Sequence, residues 1–227
     1  MKSIELIEKL RSKVVFSISD ISRITNANNK YSKLIIARLL KRNLIKKVTF
    51  NRYTLKNNIY VIASNLVYPS YISFWSASYY KKYTEQVPRI IQIAATIRKK
   101  EIMYEGYKIE FIKIKDFFGY KKEITSEGEV FIAEDEKLLI DSLLNWKKMG
   151  NFDEIKKVFI NSEISEEKIV DYLKRINNQS LIKRLGFLLE KHKSINISQN
   201  FKFDRNYIYL SPFSNKQNKI NKKWRIK

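Results

Sequence analysis

The chain has no cysteine, one histidine, three prolines and five glycines in 227 residues. Absence of cysteine excludes disulfides, thiol nucleophiles and thiolate metal sites, and a solitary His192 cannot supply a histidine cluster. Five glycines leave little material for a phosphate-cradling loop. No glycine-rich loop, Ser-His-Asp set or paired-carboxylate motif stands out. No apolar run reaches the roughly eighteen residues of a membrane span, and the first thirteen residues alternate charged with apolar side chains, unlike a signal peptide. A cytoplasmic protein with no membrane partner is expected.

Acid is scarce as well. Lys and Arg number 45 against 23 Asp and Glu, a net charge of +22. Such an excess points to a polyanionic partner, because neutralised phosphates release condensed counterions and yield salt-sensitive affinity. The excess is uneven. Residues 1–57 hold 14 basic side chains against 3 acidic ones, so a quarter of the chain carries half the surplus. The single His192, in "LLEKHKS", falls near a helix end, where an imidazolium would complement the negative end of the dipole.

Within those first residues, "SIELIEKLRSK" spaces Ile4, Ile7 and Leu10 as one helical stripe. "VVFSISDISRIT" reads as a short extended piece followed by a very short helix capped by Ser19 or Asp20, packing Ile21 and Ile24. The polar "NANN" turn leads to a longer helix with Ile35, Ile36, Leu39 and Leu40 inward and a stop at Asn43. "LIKKVTFNRYTLKN" then alternates Val48, Phe50, Tyr53 and Leu55 around Asn51-Arg52, as a β-hairpin with a basic tip would. This order predicts a winged helix-turn-helix over residues 1–57. Asn28, Asn29, Lys30, Tyr31 and Lys33 fall at the start of its recognition helix, in reach of base edges and the nearest phosphates. Arg38 faces outward beside them, and Lys41, Lys46, Lys47 and Arg52 suit the DNA backbone. The alternative is a basic packing module that binds protein.

Beyond the Lys56–Asn58 junction, residues 58–227 predict a second, mixed α/β domain with a small sheet and a helical carboxy-terminal part, giving an α+β chain of two domains. "NLVYPSYISFWSASYYKKY" places aromatics at helical spacing after Pro69-Ser70, a core pattern rather than a base-stacking platform. "RIIQIAAT", "YKIEFIKIK" and "EVFIA" read as strands, the middle one shifting phase at Phe111-Ile112 through a bulge or two-sided burial. "DEKLLIDSLLNWKKM" predicts an amphipathic helix with acid in its first turn, and three further helices follow from residue 152. Gly186, inside the last of them, predicts a close helix contact. The tail "NKQNKINKKWRIK" carries six positive charges, with Trp224 anchoring a final strand.

The stretch "YVIASNLVYPSYISFWSASYYKKYTEQVPRIIQIAATIRKK" resembles the centre of the AbiEi-like antitoxin family, the antitoxin and transcriptional-regulator half of type IV abortive-infection toxin–antitoxin systems. The alanine-serine strand end, the Ser-Tyr-Ile-Ser and Trp-Ser-Ala helix and the Thr-Glu-Gln-Val-Pro turn recur in order over residues 60–96. "FFGY", "EVFIAEDEKLLIDSLL", "LIKRLGFLLE" and the closing Asn-x-x-Trp extend the likeness. "EDEKLLIDSL" departs from the family's usual proline and alanine. The resemblance implies a non-enzymatic repressor of its own promoter on double-stranded DNA, without cofactor or metal. It also implies a nucleotidyltransferase as the cognate toxin, countered without necessarily forming a stable complex.

Two other functions fit parts of the sequence. One is a stand-alone winged-helix transcription factor whose larger domain senses a ligand or dimerises. The other is a metal-dependent nuclease using the Asp135-x-Lys137 spacing with Glu110, Asp116 or Glu123, against which stands the simpler role of Glu134, Asp135 and Glu136 at a helix start.

Overall fold

Asparagine and serine punctuate the chain as helix caps, and the elements fall between them. The computed structural model describes residues 3–210 and 220–227 and shows an α+β architecture with one two-stranded and one six-stranded sheet among them. Two compact units result. The first comprises the chain up to Ile72 together with Arg89–Ile114 and Lys122–Ile132; the second comprises Ser73–Pro88, Lys115–Lys121 and the chain from Ala133.

The first unit opens with helices α1 (Ser3–Arg11), α2 (Ile18–Thr25) and α3 (Asn29–Lys41), then the antiparallel pair β1 (Lys46–Thr49) and β2 (Arg52–Thr54). Leu6, Leu10, Phe16, Ile21, Ile36, Leu39, Ile45 and Tyr53 form their shared core. Helix α4 (Ile59–Ser64) follows, capped by the Asn58 side chain. The junction before it is tied down: the Glu127 carboxylate accepts from the Asn57 and Asn58 amides at 2.5 and 2.9 Å.

The rest of this unit is a sheet of β3 (Ser70–Ile72), β4 (Ile90–Ala95), β5 (Ile102–Tyr104), β6 (Tyr107–Lys113), β7 (Tyr120–Thr125) and β8 (Gly128–Ala133), in the order β5-β6-β4-β3-β8-β7. β4 pairs antiparallel with β3 and parallel with β6. It is central, and from Ile91 to Ala95 every residue is buried, as expected of a strand covered on both faces. The β4–β6 register runs unbroken from Ile90–Lys108 to Ala95–Lys113. Phe111 and Ile112 are both buried, so the phase shift reflects two-sided burial and no bulge.

The aromatic block departs from the expected helix. Ser70–Ile72 is strand, and helix α5 (Phe74–Tyr80) starts only at Ser73, with Phe74 at a φ of 56°. Pairing with β4 on one side and β8 on the other overrides the helical spacing of Tyr71 and Phe74. Both rings are fully buried, which fits the core reading.

The second unit gathers α5, α6 (Asp135–Leu144), α7 (Phe152–Asn161), α8 (Glu166–Ile176) and α9 (Gln179–Lys193). Helix α6 is not amphipathic. Every residue from Glu136 to Leu143 is buried, because α5, α7, α8 and α9 all pack on it. Its polar side chains must then find partners within the protein. Lys137 Nζ donates to Asp141 Oδ1 at 2.5 Å, Ser73 Oγ donates to Asp141 Oδ2 at 2.8 Å, and Lys137 lies over the Phe118 ring. Gly119, at a φ of 69°, lets the chain pass Lys137: a Cβ there would stand 2.9 Å from the Lys137 Cβ.

Gly186 has a different explanation from the expected helix contact. The indole of Trp224 occupies the space a Cβ would enter. That ring is fully buried, and its Nε1 donates to Glu190. The segment around it forms isolated bridges, Ile208–Ile226 and Asn221–Ile226, instead of a final strand. Residues 215–219 of the basic tail lie outside the described residues. His192 also differs from expectation: burial, then Lys191 and Lys156, push its pKa down, disfavouring an imidazolium at the helix end.

Two stability outcomes follow from this packing. Asp141→Ala strands a buried ammonium and is expected to cost about 3–5 kcal/mol in urea unfolding, while the joint change of Lys137→Met and Asp141→Leu recovers most of it. Gly186→Ala, which in an open helix would gain about 1 kcal/mol, is expected instead to lose about 1–3 kcal/mol by overpacking against Trp224, with the loss relieved when Trp224 is changed to Leu.

Candidate nucleic-acid interface

The basic module is assembled by local caps. Ser17, not Ser19 or Asp20, is the N-cap of α2, and it forms a capping box with Asp20: the Ser17 amide and hydroxyl each donate to Asp20 Oδ2 at 2.8 Å. Lys13 adds an ion pair to the same carboxylate at 3.0 Å. Asn26 ends α2 in the left-handed region, and Asn28 Oδ1 accepts from the Tyr31 amide at 2.9 Å to start α3. Asn43, at a φ of 54°, turns the chain out of α3.

The hairpin is locked to the helices. Phe16 and Tyr53 exchange backbone hydrogen bonds of 2.9 and 2.8 Å, which adds a bridge beside β2. Asn51, at the hairpin turn, accepts from the Ile18 amide at 2.9 Å. The tip is thereby held against the start of α2.

Burial of Ser32, Ile36 and Leu39 sets the roll of α3. At about 100° per residue, the opposite face carries Lys30, Leu34, Ala37 and Lys41, flanked by Lys33 and Arg38. All six are exposed. Asn28, Asn29 and Tyr31 are exposed at the start of the same helix, although the Asn28 oxygen is occupied as a cap. Among the described residues, Lys30, Lys33, Arg38, Lys41 and Lys47 make no ion pair. The first turn of α3 contains no acid, unlike those of α6, α7 and α8. Lysines at that end oppose the helix dipole, so the arrangement does not serve helix stability.

The expected backbone contacts divide. Lys47 is exposed, whereas Lys46 is engaged by Glu105 at 2.9 Å and by Asn57 at 2.8 Å. Arg52 is half-buried and donates to the Asn51 carbonyl. Arg38 and Tyr31 also line a cavity of about 230 Å³ with Leu6, Thr25, Ile35, Leu39 and Arg42.

Some surface residues were not legible as site candidates. Phe50 is 90% exposed at the hairpin turn, where alternation had suggested burial. Leu34 stands half-exposed between Lys30 and Lys41, because the core takes Ile36 and Leu39 while Ile35 and Leu40 are only half-buried. Arg42, the C-cap of α3, is exposed too. Only the rolled helix reveals these; the apolar spacing alone allowed either neighbour to face inward.

The acidic-x-Lys spacing is not gathered into one site. Asp135 accepts from Lys81, from the Tyr83 hydroxyl at 2.6 Å and from the Glu163 amide at 2.8 Å. Burial alone would raise its pKa, but those donors hold it below the usual aspartate value. Lys137 turns instead to Asp141. Glu136 accepts from the Ser165 amide at 2.9 Å, and Glu134 accepts from the Tyr172 hydroxyl. Each acid at the start of α6 anchors a neighbouring segment. Among the described residues, no group of three or more His, Asp or Glu side chains is placed to hold a metal ion, and no helix is long and apolar enough to cross a membrane.

The α2 cap has a pH signature. Burial would raise the Asp20 pKa, but Ser17 and Lys13 hold it below the usual aspartate value. A depressed native pKa contributes stability above the unfolded pKa of about 3.9, lost as pH falls through the native value. Asp20→Asn is expected to cost about 1 kcal/mol at pH 7, with the difference from wild type shrinking as pH falls through the native value, read from thermal unfolding across pH. No protein-family model and no curated protein matches the chain.

Proposed function

We propose that residues 1–57 work as a winged helix-turn-helix, laying α3 in the major groove of duplex DNA, and that the chain represses its own promoter as the antitoxin of a type IV toxin–antitoxin system. The observation that carries the reading is the outward face of α3, where Lys30, Lys33, Arg38 and Lys41 are exposed and without ion pairs among the described residues. A cationic helix whose first turn opposes its own dipole is explained by an external anion. Supporting it are the helix order, the hairpin held to α2 by Asn51 and Ile18, and the charge excess of this quarter of the chain.

Within this function, Lys30, Lys33, Lys41 and Lys47 take phosphates, and Asn29 and Tyr31 reach base edges. Leu34 and Ala37 offer an apolar strip suited to thymine methyl groups. The antitoxin half of the proposal rests on the family resemblance of residues 60–96, with a nucleotidyltransferase as the toxin opposed.

Anisotropy titration of the upstream promoter and a random duplex, at several salt concentrations, tests the DNA function. Promoter affinity is expected to exceed random affinity by about a thousandfold or more. Lys30→Ala and Lys33→Ala are each expected to flatten the log–log salt slope by about 0.9. Equal affinity for both duplexes removes the repressor function. Co-expression with an adjacent nucleotidyltransferase tests the antitoxin function, and unrelieved growth arrest refutes it.

A further inference from the structure

The interface does not end with the amino-terminal module. Between β4 and β5 the chain runs through residues 96–101, "TIRKKE", where Arg98, Lys99 and Lys100 are consecutive cations. This loop belongs to the same compact unit as α3 and the hairpin. Lys46 on β1 is paired at 2.9 Å with Glu105, in the turn immediately after β5. The hairpin and the β5 edge of the sheet are therefore joined side by side.

The acids of this region are already committed. Glu105 is taken by Lys46, and Glu101 by Lys108 at 2.5 Å. Among the described residues, Arg98, Lys99 and Lys100 have no ion pair, and Arg98 and Lys100 are exposed. Lys99 lies with its ammonium 5.2 Å from the centroid of Phe111. Burial, followed by repulsion from Arg52 of the hairpin, pushes its pKa down. The loop thus follows an edge joined to the hairpin through Lys46 and Glu105, and its three cations have no internal counterion among the described residues. Holding them there is unfavourable in the free protein and is relieved when an external anion enters.

We propose that the 96–101 loop is a further DNA-contacting element, continuous with the hairpin, whose Arg98, Lys99 and Lys100 take backbone phosphates of the duplex flanking the segment read by α3. It rests on the duplex-binding function of residues 1–57 and extends it to a part of the chain outside that module. The chemistry is sequence-independent, since exposed cations on a loop position a duplex without reading bases. An effect on affinity for every sequence follows, with none on base preference.

The test uses the full chain and two promoter duplexes, one long and one trimmed on the hairpin side to the segment protected by α3. Wild type is compared with R98A/K99A/K100A by anisotropy over a range of salt. On the long duplex the triple variant is expected to flatten the log–log slope by about two to three units, at about 0.9 per phosphate; on the trimmed duplex the two proteins are expected to coincide. R98Q/K100Q, which changes only exposed side chains and keeps Lys99 on Phe111, is expected to lose about two units with an unchanged thermal midpoint. Equal slopes on the long duplex overturn the proposal. An equal loss on both duplexes also overturns it, since that is a general charge effect rather than a flanking contact. Failure of the wild-type chain to bind either duplex rejects the underlying DNA function, an outcome distinct from both.

Discussion

The roll of α3 governs the candidate interface, and it is set by the burial of Ile36 and Leu39 against Leu6, Leu10, Phe16 and Ile21. Rotating that helix by one residue would exchange Leu34 and Ala37 for Ile35 and Arg38 at the centre of the outward face. The two ends of the helix are set locally. Asn28 fixes its start, and Asn43 forces the chain out at its end. Charge follows from this geometry: a module with 14 basic and 3 acidic residues has too little acid to neutralise itself. One of its three acids, Asp20, is already spent on a helix cap and Lys13.

The second unit solves a different problem. A helix packed on all sides must satisfy its polar groups internally, since burying an unpaired ammonium or carboxylate is costly. Helix α6 does this by pairing Asp141 with both Lys137 and Ser73. Glu134, Asp135 and Glu136 are spread over partners at Tyr172, Tyr83 and Ser165. The same residues that suggested a nuclease spacing are what hold the helices in place. An acidic-x-Lys spacing needs convergence to do metal chemistry, and here the side chains diverge.

Local signals carried much of the fold. Side-chain caps from Ser and Asn start helices α2, α3, α7, α8 and α9, although the cap of α2 is Ser17 rather than the expected Ser19 or Asp20. Alternation and β-branched residues placed β4, β6 and β8. β5 and β7 are not legible in the sequence: Ile102–Tyr104 is only three residues long, and half of Tyr120–Thr125 is charged. β7, at a sheet edge, buries none of its residues, and β5 buries Ile102 and Tyr104 over too short a run to show a period. The aromatic helix was misplaced for the opposite reason, since Ser70–Ile72 is buried between two strands and its periodicity no longer reports one face.

By itself the sequence determined an α+β chain, the order of helices and hairpin in the first quarter, and a positive surplus that the chain cannot neutralise. These depend on neighbours within a few residues and on simple charge counts. Tertiary structure alone decided which face of α3 points outward, that Lys46 is occupied by Glu105, and that the Lys99 ammonium lies over the Phe111 ring. It also decided that the Trp224 ring fills the space beside Gly186. Each of those outcomes joins separate segments of the chain, and no local pattern encodes where a distant side chain will come to rest.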